Sequence, residues 1–196
     1  CVVFMESKDL KKFCRGLKEW FLEMGFRMTV ELPVYEFQKI EFCQMRPIRN
    51  SEGWIMVRNI ATALAKDTMS IIPLDREIVL RKWLGAVGEC GAAITSGIPI
   101  LQAFYRMYVR QGVSSDMKDS PQLECGMRMM AKNMVSRFES PTDESRVDVY
   151  IAWGITPDEQ IALEELYDNM VLPWNPLDNS NLPLYNTIID ELCVPR

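Results

Sequence analysis

The spacing of apolar residues changes once along this chain, near residue 58, and that change limits what it can fold into. Before it, short β-rich or alternating runs surround one helix-spaced stretch. After it, nearly every apolar run recurs at intervals of three and four residues. Such a chain is α+β at its start and mainly helical afterwards. Its 196 residues, 48% hydrophobic and 25% charged, are enough to build a sizeable core.

In the first part, residues 1–6 read as a strand. Ser7 can cap a helix, because its hydroxyl can accept a bond from an orphan N–H of the first turn. Leu10, Phe13, Cys14, Leu17, Phe21 and Met24 then share one helical face, and Gly25 stops the helix. Phe26, Met28 and Val30 alternate with Arg27, Thr29 and Glu31, which predicts a strand ended by Pro33. Residues 38–46 and 53–58 predict two more strands, joined by a turn at Asn50-Ser51-Glu52-Gly53.

In the second part, Asn59 or Thr62 starts a short helix. Pro73 breaks the chain, and a helix over 75–92 carries Ile78, Leu80, Trp83, Leu84 and Val87. Another runs from Ile100 to Val109 after Gly97 and Pro99, and one from Pro121 to about Phe138. Residues 112–119 and 140–144 read as loops. Thr156-Pro157-Asp158-Glu159 is a strong helix start, with Ile161, Leu163, Leu166 and Met170 as its apolar face. Leu80, Trp83, Leu84, Leu101, Phe104, Tyr105, Ile161 and Leu166 are the expected core. Pro173, Pro176 and Pro183 make the tail irregular.

Several functions are excluded outright. There is no histidine, so the chain holds no Ser-His-Asp triad, no Cys-His dyad and no His-ligated zinc. The six cysteines, at 1, 14, 43, 90, 125 and 193, form no Cys-x-x-Cys pair and read as reduced, mostly buried thiols. A net charge of −5 argues against a free-standing basic nucleic-acid module, although a local basic groove can sit on an acidic domain. No run of 18 apolar residues predicts a membrane span, and the start lacks the order of a signal peptide.

Gly85, Gly88 and Gly91 invite a phosphate-loop reading, which fails because no Gly-Lys-Ser/Thr follows and the spacing is not a dinucleotide fingerprint. Close backbone packing at a helix is the expectation instead.

Seven segments, in order, carry a family resemblance. Cys1-Val2-Val3 looks like the exit from a Gly-Asp-Asp metal-binding turn. Leu17-Lys18-Glu19-Trp20-Phe21 with Gly25-Phe26 looks like palm motif D, and Glu41-Phe42-Cys43-Gln44 looks like motif E. Trp54 to Asn59 looks like the strand leading to the thumb, and Gly85–Gly91, Gly97–Tyr105 and Gly154–Gln160 match further along. Together they resemble the RNA-dependent RNA polymerases of tombusvirus-like positive-strand RNA viruses.

The resemblance implies a right-hand polymerase, with residues 1–58 as the last palm elements (end of motif C, motifs D and E) and residues 59–196 as a mainly helical thumb. The implied parent reaction is template-directed nucleotidyl transfer with two Mg2+ or Mn2+ ions. The implied metal-binding aspartates lie before Cys1, so the chain holds no catalytic and no metal residue and is expected to be inactive alone. The implied partners are RNA template and product, nucleoside triphosphates, and the N-terminal fingers and palm of the same polymerase. The implied location is the host cytoplasm, at membrane-associated replication complexes. Cys43, Gln44, Arg46 and Arg58 are the implied RNA contacts, with Arg81, Lys82, Arg106 and Arg110 expected to help line one groove. The lysine that motif D often supplies as general acid has no counterpart, since none occurs between Lys18 and Lys39 and Arg27 hardly deprotonates. From the residues alone, the alternative is a non-catalytic intracellular helical interaction domain, to which 13 methionines also fit.

Overall fold

A computed structural model describes residues 2–70, 72–114, 126–135 and 137–174. The helix start at Pro121, the prolines at 176 and 183, and Cys1, Cys125 and Cys193 lie outside these residues. The architecture is mixed: helices around one two-stranded antiparallel sheet.

Two helices come first, α1 (Ser7–Cys14) and α2 (Leu17–Glu23). The single helix expected here is broken at Gly16, whose φ of 73° lies in the left-handed region that only glycine enters cheaply. Neither helix buries a residue. The strands expected at 1–6 and 26–32 do not form among the described residues, which have no regular structure there. A strand needs a partner for its backbone groups, and no described segment pairs with either. Leu32 stands 90% exposed as a result.

The sheet is a hairpin of β1 (Met45–Asn50) and β2 (Gly53–Arg58), paired from Met45↔Arg58 to Asn50↔Gly53. The Asn50 side chain accepts from the backbone N–H groups of Glu52 and Gly53, which closes the expected turn. The strand expected over 38–46 is corrected. Phe37–Lys39 is a 3₁₀ turn, and the chain folds back on itself at Cys43-Gln44, so residues 40–44 cannot continue β1.

Helices follow: α3 (Ile60–Lys66), α4 (Glu77–Ile94), α5 (Leu101–Gln111), α6 (Met127–Ala131), α7 (Asp143–Trp153) and α8 (Pro157–Asn169). Asn59 caps α3 by accepting from Thr62 N–H. The helix expected to reach Phe138 stops at Ala131, ahead of a left-handed Asn133. The loop expected over 140–144 is shorter, because Thr142 caps α7 through the N–H of Ser145. Thr156 and Glu159 form the full capping box of α8.

The core joins Ile48 and Val57 of the hairpin to Ile60, Leu64, Trp83, Leu84, Leu101, Tyr105, Val149 and Tyr167 of the helices. Phe104 sits at its centre, 4.5 Å from the Tyr108 ring centroid and 5.4 Å from that of Tyr167. Ile161 and Leu166, expected inside, are exposed, while Leu80 is partly buried. Helix α8 docks instead through Gln160, Leu163, Glu164 and Tyr167, because its two polar members have backbone work to do. Gln160 donates to the carbonyls of Arg146 and Ile155. Glu164 pairs with Arg146 and accepts from Ile100 N–H at 3.0 Å. That N–H belongs to a strained three-residue turn. Ile100 has φ 67° and ψ −61°, and Leu101 N–H bonds Pro99 C=O at 2.7 Å. Cys90 is buried as expected, but Cys14 and Cys43 are exposed.

Helices α4 and α5 touch backbone to backbone. A Cβ on Gly85 would lie 2.2 Å from the Val113 carbonyl oxygen, and one on Gly91 would lie 2.1 Å from the Tyr105 ring. A Cβ on Gly112 would meet Gly85 N at 2.2 Å. Glycine inside a helix costs about 0.5–1 kcal/mol relative to alanine, so the contact must return more than this at each position. A second tie crosses the same region. Arg58 at the end of β2 reaches Asp67 just beyond α3 and donates to the Tyr105 hydroxyl of α5 at 2.7 Å, while that hydroxyl donates to Asp67.

Two outcomes follow from this packing. Gly85→Ala should destabilise the protein by about 2–3 kcal/mol through overpacking against backbone. Gly154→Ala, at φ 78° with open space around it, should cost only the left-handed penalty of about 1–2 kcal/mol. Denaturant midpoints measure both, and equal costs would remove the close approach as the reason for Gly85. The second outcome concerns alkaline pH. Burial raises the Tyr105 phenol well above its ordinary value of 10.0. The unfolded chain ionises near 10.0 and the folded chain does not. Stability is therefore full below that pH and falls as pH rises past it. Tyr105→Phe should remove this fall while costing about 1 kcal/mol at neutral pH, as unfolding curves between pH 8 and roughly 11 would show.

Candidate nucleic-acid interface

Of the expected RNA contacts, Cys43 and Gln44 occupy a distinctive place. They are the two central residues of a tight turn closed by Phe42 N–H to Met45 C=O at 2.9 Å and Met45 N–H to Phe42 C=O at 3.0 Å. Both have positive φ, 51° and 62°. This pair of left-handed residues is the pattern of a type I′ hairpin turn, which glycine and asparagine normally supply. Cysteine and glutamine pay a steric cost there. Both are exposed, and neither side chain is hydrogen-bonded to another described residue. The tip is fixed from behind, because Gln44 C=O accepts from the N–H of Asn59, the cap of α3. It lies at the opposite end of the hairpin from the Asn50–Gly53 turn.

Arg46 and Arg58 flank this tip but differ from it in kind. Met45 pairs with Arg58 and Arg46 with Val57, so strand alternation sends the two arginines to opposite faces. Arg46 pairs with Glu41 at 3.2 Å and donates to the Ala152 carbonyl in the last turn of α7. Arg58 is held by Asp67 and Tyr105. Burial alone lowers the pKa of its guanidinium, but the hydrogen bond to Asp67 and the charges of Tyr105 and Asp67 outweigh it, so the net shift is upward.

Three of the cations expected on the later helices are spent in the same way. Arg81 pairs with Glu77 and donates to Gln111 C=O at the end of α5. Arg106 binds Asp168 at 2.6 Å, and Arg110 donates to the carbonyls of Tyr167 and Met170. Lys82 has no ion pair with another described residue. Three of these arginines, at 46, 81 and 110, donate to carbonyls at or near the end of another helix, where free carbonyls and the helix dipole favour a cation. The six residues are not brought to one common partner.

Sequence reasoning missed the residues that brace the tip. Asp148, 1% exposed, accepts from Gln38 Nε2 at 2.7 Å and from Arg49 N–H at 3.0 Å. It thereby ties the segment before the tip, and β1, to α7. Its only signal was an acid among Ser145, Val149 and Ala152, all buried on one helical face. Asp67 and Glu164 gave no signal at all, because their bonds to Tyr105 and Ile100 span 38 and 64 residues.

Among the described residues no group of three or more Cys, Asp or Glu side chains could hold a metal ion. No helix there is long and apolar enough to cross a membrane.

Comparison with known proteins gives the family of the chain. A family model described as viral RNA dependent RNA polymerase matches residues 1–175. The RNA-directed RNA polymerase of Oat chlorotic stunt virus (isolate United Kingdom) is 40% identical over 195 residues, covering 93% of this chain and 26% of that protein. That of Turnip crinkle virus is 39% identical, covering 90% of this chain and 24% of that protein. That of Tobacco necrosis virus (strain A) is also 39% identical, covering 86% and 23%. The chain thus spans about a quarter of the length of these curated relatives. No solved structure matches it. With a model matching most of its length and relatives this similar, the chain belongs to the viral RNA-dependent RNA polymerase family.

Proposed function

We propose that this chain serves a template-directed viral RNA polymerase by holding the nascent RNA, with the Cys43-Gln44 tip as the contact. The match to the polymerase family over residues 1–175 carries the reading. The tip geometry supports the location. Two exposed side chains stand on a strained turn that is anchored at Asp148 and Asn59, and an observed backbone strain of this kind is a reason to look for function. Residues 1–58 act as the end of the palm and residues 59–196 as the thumb. Exposed apolar side chains before the hairpin, among them Phe4, Trp20 and Phe26, fit a surface covered by the rest of the polymerase.

In this reading Arg46 and Arg58 aim the tip and do not grip phosphate themselves. Each is already bonded inside the chain, and a second role would compete with the first. RNA template and product and nucleoside triphosphates are the partners of the whole polymerase. Its divalent cations have no ligand cluster among the described residues, so no step of the transfer is assigned through a metal here.

The test is made in the intact polymerase. Gln44→Asn keeps a residue that tolerates the left-handed conformation but shortens its reach by one methylene. A lost charge-assisted hydrogen bond, about 1.5–3 kcal/mol, should weaken RNA binding on the order of tenfold to a hundredfold, with the melting temperature unchanged. Full affinity and full nucleotide incorporation in this variant and in Cys43→Ala would sink the tip as the contact.

A further inference from the structure

Helix α1 carries a charged face that the tip does not use. Lys8, Lys11 and Lys12, with Arg15 at the residue that ends the helix, follow at intervals of three, four and seven residues from the first, which places them within roughly a 100° arc about the helix axis. Leu10, Phe13 and Cys14 take the opposite side. All four cations are exposed, and none forms an ion pair with another described residue. Lys18, Lys66 and Lys82 likewise form no ion pair with a described residue, but no other described helix gathers four cations. Arg46, Arg58, Arg81, Arg106 and Arg146 each meet a carboxylate. Glu6 and Asp9 stand beside the first turn, where acids complement the helix dipole, and pair with none of the four.

We propose that the α1 face formed by Lys8, Lys11, Lys12 and Arg15 is a binding site for the phosphate backbone of single-stranded RNA. It rests on the polymerase reading only for the identity of the polyanion. The four residues span about 10 Å along the helix, the rise of about three stacked nucleotides at 3.4 Å each. A solvated surface face is the plain reading of four lysines and arginines. It does not account for four unpaired cations being gathered on one side of one helix in a chain of net charge −5. An acidic chain repels RNA overall, so a strand that lies along it needs local cations free of internal partners. The face contains no apolar residue to enter a lipid surface, which favours RNA over a membrane as the occupant.

The experiment uses the intact polymerase and an unstructured RNA oligonucleotide, with affinity measured across a potassium chloride series. Lys8→Gln, Lys11→Gln, Lys12→Gln and Arg15→Gln are combined, because glutamine keeps the helix propensity of the residues it replaces. The slope of log affinity against log salt should fall by about 2.8, the value for four lost single-strand phosphate contacts, and affinity at low salt by about tenfold or more. Replacing Lys11 and Lys12 by arginine should keep the slope. An unchanged slope in the glutamine variant overturns the proposal. So does loss of binding to phosphatidylserine vesicles with the RNA slope intact. Template-directed incorporation by the unaltered protein is run alongside. An inactive protein whose slope still falls keeps this proposal and sinks only the polymerase reading.

Discussion

The contact on which the rest of this structure depends is the backbone approach of α4 to α5. Three glycines one turn apart bring the helices so close that Gly85 and Gly112 touch without side chains between them. That closeness sets the depth at which Phe104, Tyr105 and Tyr108 enter the core, and the aromatic cluster forms around them. Tyr105 in turn presents its hydroxyl where Arg58 and Asp67 can reach it. The hairpin, and with it the tip, is therefore positioned by a helix pair that contains neither Cys43 nor Gln44. A shift of α5 by the width of one methyl group would be passed to β2 through this bonded triad, because close-packed interiors transmit displacement.

Charge in this protein does two jobs that the net value conceals. Most described arginines beyond the tip act as clasps. They join a strand to the end of α7, α4 to the end of α5, and α5 to the end of α8. Such groups contribute to stability through the partners they would otherwise leave unpaired. The lysines and the arginine of α1 are different, since they meet no carboxylate among the described residues. An acidic chain can in this way keep a small cationic surface without spending its internal order on it.

The strained positions also divide by purpose. Cys43 and Gln44 hold left-handed conformations at an exposed tip, with their side chains unused inside the fold. Ile100 holds its positive φ where it is wholly buried, and there the strain is balanced by Glu164 on its N–H and by the burial of its side chain. The first kind presents groups outward, and the second sets the direction in which α5 leaves the preceding turn.

Much of the local structure was legible from the residues. The Thr156 capping box, the Asn59 cap, the turn at Asn50–Gly53 and the helices over 77–94 and 101–111 each follow from short-range chemistry that the chain carries with it. The family resemblance was legible too, because it rests on literal residues in order. The alternating stretch at 26–32 misled, since a strand exists only where another strand pairs with it. The face that α8 buries could not be read either. Ile161 and Leu166 looked like core by spacing, but the docking side was chosen by Gln160 and Glu164, whose backbone partners lie on other elements. The sequence by itself determined where helices start and stop, and that glycines line one side of α4. Only the tertiary structure decided which arginines are spent and which are free, because a hydrogen bond from Arg46 to a backbone carbonyl 106 residues away leaves no mark in the spacing of either partner.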